Sequence, residues 1–142
     1  MFSFTPYSDE QLQKIRIGFT EGPAEFNVIF ADNHRSQKGS SLKLELWVRD
    51  AEGNEGKLLD FLSTSEKMCW KIKHFFQAIG EMPAYESGAI YPSQLKDKKG
   101  KCLLKIQKGN NGYADKMAVQ DYLDPNEAQK TDDFFEDDIP FP

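Results

Sequence analysis

Long apolar runs are missing from this 142-residue sequence. No stretch approaches the ~18 consecutive apolar residues that a membrane-spanning helix requires. No apolar segment typical of a signal peptide follows Phe2 and Phe4. The sequence therefore predicts a cytoplasmic protein with no membrane partner.

The residues and motifs that catalysis usually needs are also scarce. The two histidines, His34 and His74, lie in unrelated settings, and there is no P-loop, nucleophile elbow or dinucleotide-binding fingerprint. Asp32 and Asn33 precede His34, but no further ligand at a suitable spacing completes a metal site. We expect no enzyme activity, no catalytic residue, no metal and no cofactor.

Cysteine is limited to Cys69 and Cys102, which are far apart and form no C-x-x-C motif. This usage favours reduced side chains packed inside the protein over a disulfide or a metal site.

Net charge is unevenly distributed along the chain. The formal net charge is −5, and residues 125–142 alone hold six acids and one base. Since the totals are 23 acids and 18 bases, residues 1–124 hold seventeen of each and are neutral overall. A neutral body with clustered bases can still present a phosphate-binding face.

The bases cluster most strongly between Lys96 and Lys108, where six lysines accompany a single acid, Asp97. Two interpretations remain open for this run. It forms either a phosphate-binding surface or an ordinary solvated strand and loop.

Alternating apolar residues predict five strands, over residues 24–31, 42–50, 57–63, 101–107 and 113–122. In the first, Phe26, Val28 and Phe30 are expected to share one face. The third strand alternates ambiguously, so Phe61 is either exposed or part of the core.

The second strand has the clearest pattern. The residues expected to point into the core are Leu42, Leu44, Leu46 and Val48. Trp47 is then placed on the outward face, between Lys43 and Arg49. An exposed aromatic ring flanked by cations is typical of sequence-tolerant binding of single-stranded nucleic acid. Packing of Trp47 under a loop or against a partner subunit remains the alternative.

The candidate nucleic-acid contacts combine this strand with the lysine cluster and a polar loop over residues 32–41. The predicted DNA-binding residues are Trp47, Lys43, Arg49, Phe61, Arg35, Lys38, Lys57, Lys98, Lys99, Lys101, Lys105 and Tyr113. Phe26 and Phe30 are further candidates for base stacking.

Two helices are also predicted. Ser8 should cap a short helix through residues 11–15. Ser63 and Glu66 match a capping box that would start a second helix there, with Met68 in its buried stripe and its end near Gly80.

The element order favours an all-β fold, an oligonucleotide-binding (OB) fold. This is a five-stranded Greek-key barrel with a helix between strands three and four, and its usual binding surface lies on strands two and three. A mixed sheet with one helix is the alternative. The predicted domain covers residues 1–124, with 1–22 as an extension, and residues 125–142 form a linker and a disordered acidic tail.

The last eleven residues alternate acid clusters with apolar anchors, and five of the eleven are carboxylates. Asp137, Asp138, Ile139, Pro140 and Phe141 resemble the C-terminal tip of bacterial single-stranded DNA-binding proteins. In that family the tip docks replication and repair enzymes, which grip the final Phe by its ring and its terminal carboxylate. In this chain one further residue, a proline, follows that Phe.

Most of residues 22–124 also resembles a phage-encoded family considered to be single-stranded DNA-binding proteins. The similar segments are 22–33, 42–57, the helix that ends in Ala78-Ile79-Gly80, and 100–113. The resemblance implies single-stranded DNA as partner, a role in phage DNA replication, recombination or repair, and the cytoplasm of a bacterial host. The rival hypothesis is an adaptor that binds no DNA and presents the tail to host proteins. A homo-oligomer is neither predicted nor excluded.

Overall fold

The computed structural model describes residues 1–37, 39–109 and 114–125 of the chain. These residues form five strands, which are β1 (Gly22–Ser36), β2 (Gly39–Asp50), β3 (Glu55–Ser63), β4 (Lys99–Gln107) and β5 (Lys116–Leu123). All five predicted strands are therefore confirmed. The first extends five residues beyond its predicted end, because β1 and β2 continue as a long hairpin.

Three α-helices accompany the strands in the described part of the chain. They are α1 (Asp9–Ile17), α2 (Trp70–Ala78) and α3 (Met82–Ser87), and a short 3-10 helix covers Pro92–Leu95. The last two elements lie between α2 and β4 in the chain. No helix of the described residues is long and apolar enough to cross a membrane.

The strands form one antiparallel sheet of order β3-β2-β1-β4-β5. β1 is central and pairs with β2 on one side and with β4 on the other. The predicted barrel is not closed in the described residues, because no backbone pairing joins β3 to β5. We call the gap between these two edges the seam.

Alternation along β2 places its core residues as predicted. Leu44, Leu46 and Val48 are fully buried, and Leu42 packs at the edge of the same cluster. α2 adds Phe75, whose ring lies 5.0 Å from that of Tyr122 on β5. The sheet thus curls around a core that α2 covers.

A side-chain network spans the seam where strand pairing is absent. Lys71 on α2 donates to a carboxylate oxygen of Asp60 at 3.1 Å and to the carbonyl oxygen of Val119 at 2.6 Å. The hydroxyl of Tyr122 donates to the other Asp60 oxygen at 2.7 Å. Burial and the nearby Asp60 charge raise the pKa of Tyr122 well above its ordinary value. β3 and β5 are thereby joined through side chains rather than through a backbone ladder.

The predicted start of the second helix at Ser63 is wrong. Ser63 ends β3, and its hydroxyl accepts from the N–H of Ser65 rather than that of Glu66. Hydrogen bonds of Thr64 to the carbonyl of Ser40 prolong the sheet contact, so α2 begins only at Trp70.

Because α2 starts later than predicted, the side chains that it buries also differ from the prediction. Met68 lies before α2 and is exposed, whereas Lys71 on α2 is 8 % exposed. The predicted N-terminal helix is confirmed as α1, with Ser8 and Gln11 forming a reciprocal capping box.

A β-bulge in β1 changes which residues face outward. The register against β2 shifts between Val28 and Phe30, so Ile29 is the extra residue. Phe26 and Val28 are buried, but Phe30 turns to the outer face. The expectation that all three share one face is therefore wrong, and Phe26 is not available for base stacking.

Asp50 organises the turn between β2 and β3 from a buried position. Its carboxylate accepts hydrogen bonds of 2.7–2.9 Å from the backbone N–H groups of Thr20, Glu52 and Asn54 and from the Asn54 side chain. Burial acts to raise the pKa of Asp50, but these hydrogen bonds outweigh it and hold the pKa below its ordinary value of 3.8.

Asp50→Ala is expected to lower the free energy of unfolding by about 2–3 kcal/mol at neutral pH, because the donors of the turn lose a charged acceptor. Since the folded pKa lies below the unfolded one, the ionised carboxylate stabilises the fold above the unfolded pKa. That contribution is lost as the pH falls through the folded pKa. Urea unfolding at several pH values measures the difference between the two proteins, which should shrink in acid. Glu52→Ala, which keeps its backbone N–H, is the control. A difference that stays constant into acid would contradict this role.

The two cysteines differ in environment. Cys102 on β4 is fully buried, and burial together with the charge of Asp60 raises the pKa of its thiol to about 12. Cys69 is exposed next to α2, so the expectation that it is packed inside is wrong.

Ellman's reagent is accordingly expected to label one thiol rapidly in the native protein and two after denaturation, because only a thiolate reacts and only Cys69 is accessible. Cys69→Ser should abolish the rapid reaction in the native state. Rapid native labelling that persists in this variant would contradict the burial of Cys102.

Candidate nucleic-acid interface

The outer face of β1, β2 and β3 carries a group of exposed apolar side chains. Phe30 on β1, Trp47 on β2, and Leu59 and Phe61 on β3 are each 45–49 % exposed. All four project from the side of the sheet opposite the core. Since neighbouring strands lie ~4.8 Å apart, side chains on adjacent strands of one face can act together.

Trp47 stands at the centre of a row that crosses four strands. Trp47 on β2 is paired with Lys57 on β3 and with Asn27 on β1. Asn27 is in turn paired with Lys99 on β4. This row contains no acid, and a lysine ends it on each side. A row that contains an exposed aromatic ring and ends in a lysine on each side is suited to hold a base and nearby phosphates.

The orientation of Trp47 is fixed from within the same face. Its indole N–H donates to a carboxylate oxygen of Glu55 at 2.9 Å, and the other Glu55 oxygen lies 3.8 Å from Arg49. The ring is therefore held at its polar edge, and its exposed surface is left for a ligand.

Charges of both signs lie beside this row on the same face. Glu45 lies between Phe30 and Leu59, with Lys57 at 3.5 Å and Lys43 at 3.9 Å from its carboxylate. Exposed pairs of this kind are worth only about 0–1 kcal/mol. A phosphate can therefore compete for these lysines at little cost.

At the far end of the face, Phe61 is in contact with the β1–β2 hairpin. The ring of His34 lies 5.1 Å from the ring of Phe61. The choice that the sequence left open for Phe61 is thus decided, because the side chain is exposed on the outer face and is not part of the core.

The structure brings together most of the predicted residues of the first three strands. Trp47, Lys43, Arg49, Lys57 and Phe61 share this face, and Lys99 and Lys101 continue it onto β4 opposite Asn27 and Glu25. We call this surface the aromatic face.

Other predicted residues lie elsewhere. Lys98 is bound to Glu81 at 2.6 Å, and Lys105 lies on β4 opposite Ala118 of β5, away from β2. Arg35 follows His34 in the hairpin and therefore points to the opposite side.

Lys38, Tyr113 and the tail residues Asp137, Asp138, Ile139, Pro140 and Phe141 lie outside the described residues.

The sequence pattern could not decide the role of Phe30. Alternation alone placed it on one face with Phe26 and Val28, and only the bulge at Ile29 separates it from them and turns it outward. Leu59 was not singled out either, because a leucine by itself does not indicate a nucleic-acid contact.

The described residues contain no cluster of candidate metal ligands. In the part of the chain that the structure describes, no three His, Cys, Asp or Glu side chains are grouped as metal ligands would be. Comparison with protein-family models and with curated proteins finds no match.

Proposed function

We propose that this protein binds single-stranded DNA with little sequence preference, using the aromatic face as its platform. The observation that carries the proposal is the exposure of Phe30, Trp47 and Phe61 on one face of three adjacent strands, with lysines beside them. Stacking on aromatic rings tolerates any base, because every base has a flat face.

The strand arrangement supports the further proposal of an OB-type barrel. In the sheet, β1 pairs with both β2 and β4, and α2 lies between β3 and β4 in the chain. The seam is bridged by Lys71, Asp60 and Tyr122. OB folds use the outer face of strands two and three for nucleic acids, and that face carries Trp47 and Phe61 in this chain.

For residues 132–142 we propose a docking role for replication, recombination or repair proteins, with phage DNA metabolism in a bacterial cell as the setting. The support is the sequence pattern of acids and apolar anchors and its similarity to the tip of bacterial single-stranded DNA-binding proteins. A binding protein of this kind needs no catalytic centre.

Fluorescence anisotropy of labelled oligo-dT tests the proposal. About 30 nucleotides leaves room beyond the 4–16 that one OB fold covers. We expect binding that weakens as salt rises, with a log–log slope of about −3 if four cations contact phosphates. A matched duplex is the control and should bind more weakly. Absence of single-strand binding at low salt would overturn the proposal.

The adaptor hypothesis makes the opposite prediction. If the chain only presents its tail to other proteins, Trp47→Ala should leave its cellular function intact. A loss of function that follows the loss of DNA affinity would instead favour the DNA-binding role.

A further inference from the structure

The seam contains a cleft that adjoins the aromatic face. It encloses about 780 Å³ between the end of α1, the edge of β3 and the start of β5. Its lining includes Arg16, Lys57, Phe61 and Lys116. Lys57 and Phe61 also belong to the aromatic face, so the two surfaces are continuous across β3.

Two cations of the cleft are available to a ligand. Arg16 and Lys116 are exposed, and neither forms an ion pair with any residue that the structure describes. They belong to elements far apart in sequence and meet only because α1 lies beside the seam.

The acids that line the cleft are already occupied. Asp60 accepts from Lys71 and Tyr122 within the seam network. Asp115 accepts from the backbone N–H of Gly109 at 2.9 Å and from Gln13 of α1 at 3.0 Å. The pKa of Asp115 lies below its ordinary value, and the hydrogen bond from Gly109 is the largest cause. Lys71 lies 3.1 Å from Asp60 and Lys108 lies 3.4 Å from Asp115, so the two negative charges of the cleft are partly offset.

The open strand edges add hydrogen-bonding capacity. Because β3 and β5 are not paired with each other in the described residues, their facing edges present backbone groups outside the ladder. A nucleic-acid backbone passing over these edges can therefore meet N–H donors as well as the two cations.

We infer that single-stranded DNA bound on the aromatic face continues over β3 into the seam cleft, where Arg16 and Lys116 hold its phosphates. The inference rests on the proposed function and deepens it. It assigns α1, which precedes the sheet, a direct part in binding. It also makes the bound segment longer than the aromatic face alone would hold.

The double variant Arg16→Gln/Lys116→Gln tests this path. With oligo-dT of about 30 nucleotides, we expect affinity to fall on the order of tenfold at low salt. The magnitude of the log–log salt slope should fall by about 1.4, since each single-strand phosphate contact contributes ~0.7. Both side chains are exposed, so the melting temperature of the variant should match that of the wild type.

The matched control is Lys14→Gln/Lys73→Gln, which removes the same charge from exposed positions on α1 and α2. Lys14 lies on the same helix as Arg16 but does not line the seam cleft. Equal slopes for the two double variants would overturn the inference. If the wild type binds no single strand at all, the proposed function itself fails, and the inference fails with it.

Discussion

Trp47→Ala should weaken binding of oligo-dT by about 10- to 100-fold and leave the melting temperature almost unchanged. Stacking of one base on an aromatic side chain contributes about 1–3 kcal/mol by alanine substitution. The ring is 45 % exposed and is held by a single hydrogen bond to Glu55, so its removal leaves no hole in the core. Anisotropy titrations at fixed salt measure the loss.

The second tryptophan provides a matched control. Trp70 is similarly exposed, at 41 %, but lies on α2 beside His74 and away from the aromatic face. Trp70→Phe should bind like the wild type and leave Trp47 as the sole indole, whose fluorescence should then be quenched by DNA. Equal losses from Trp47→Ala and Trp70→Ala would show that the aromatic face is not the platform.

Lys71→Ala is expected to cost about 3–5 kcal/mol of folding free energy, the largest effect that we predict on stability. Removing one member of a buried ion pair leaves the other charge uncompensated. Here Asp60 would keep only the hydroxyl of Tyr122, and the carbonyl of Val119 would lose its donor. Because this network joins β3 to β5 across the seam, its loss should also loosen β3 from β5. Urea unfolding monitored by circular dichroism gives the free energy.

The control for this change is Lys73→Ala, an exposed lysine on the same helix, which should cost less than about 0.5 kcal/mol. The variant Lys71→Met/Asp60→Asn should recover part of the loss, because no charge remains buried. If the free energy of unfolding of Lys71→Ala lies within about 1 kcal/mol of the wild-type value, the effect is no larger than that of a surface ion pair. Such a result would show that this network does not hold the seam.

The sequence predicted the strands well where alternation is strict. Along β2, Leu44, Leu46 and Val48 are buried and Trp47 is exposed as expected, because a period of two places them without reference to any other strand. The bulge at Ile29 carries no comparable signal. It follows from pairing between β1 and β2, and it alone sends Phe30 to the aromatic face.

Competition between local and tertiary interactions explains the other errors. The Ser63–Glu66 pattern suits a helix start, but hydrogen bonds between Thr64 and Ser40 keep the chain on the sheet. Lysine side chains are usually solvated, but Lys71 is not. It is buried because Asp60 and the carbonyl of Val119 converge on its ammonium group.

The composition of the site was partly predictable, and its extent was not. The sequence alone places Lys43 and Arg49 on the face of Trp47, because all three alternate with the core residues of one strand. Lys57 and Lys99 join the same row only through strand register, and Arg16 and Lys116 meet only at the seam. Contacts of this kind depend on topology, which a local pattern does not specify.

Chemical-shift mapping of the ¹⁵N-labelled protein with oligo-dT would locate the DNA-binding surface. We expect the shifts to concentrate on the outer face of β1, β2 and β3, around Phe30, Trp47 and Phe61, and to include the indole N–H of Trp47. Shifts confined to another surface would contradict the proposed role of the aromatic face. One such surface is the apolar groove that Leu42, Ile72 and Tyr85 line beside α3.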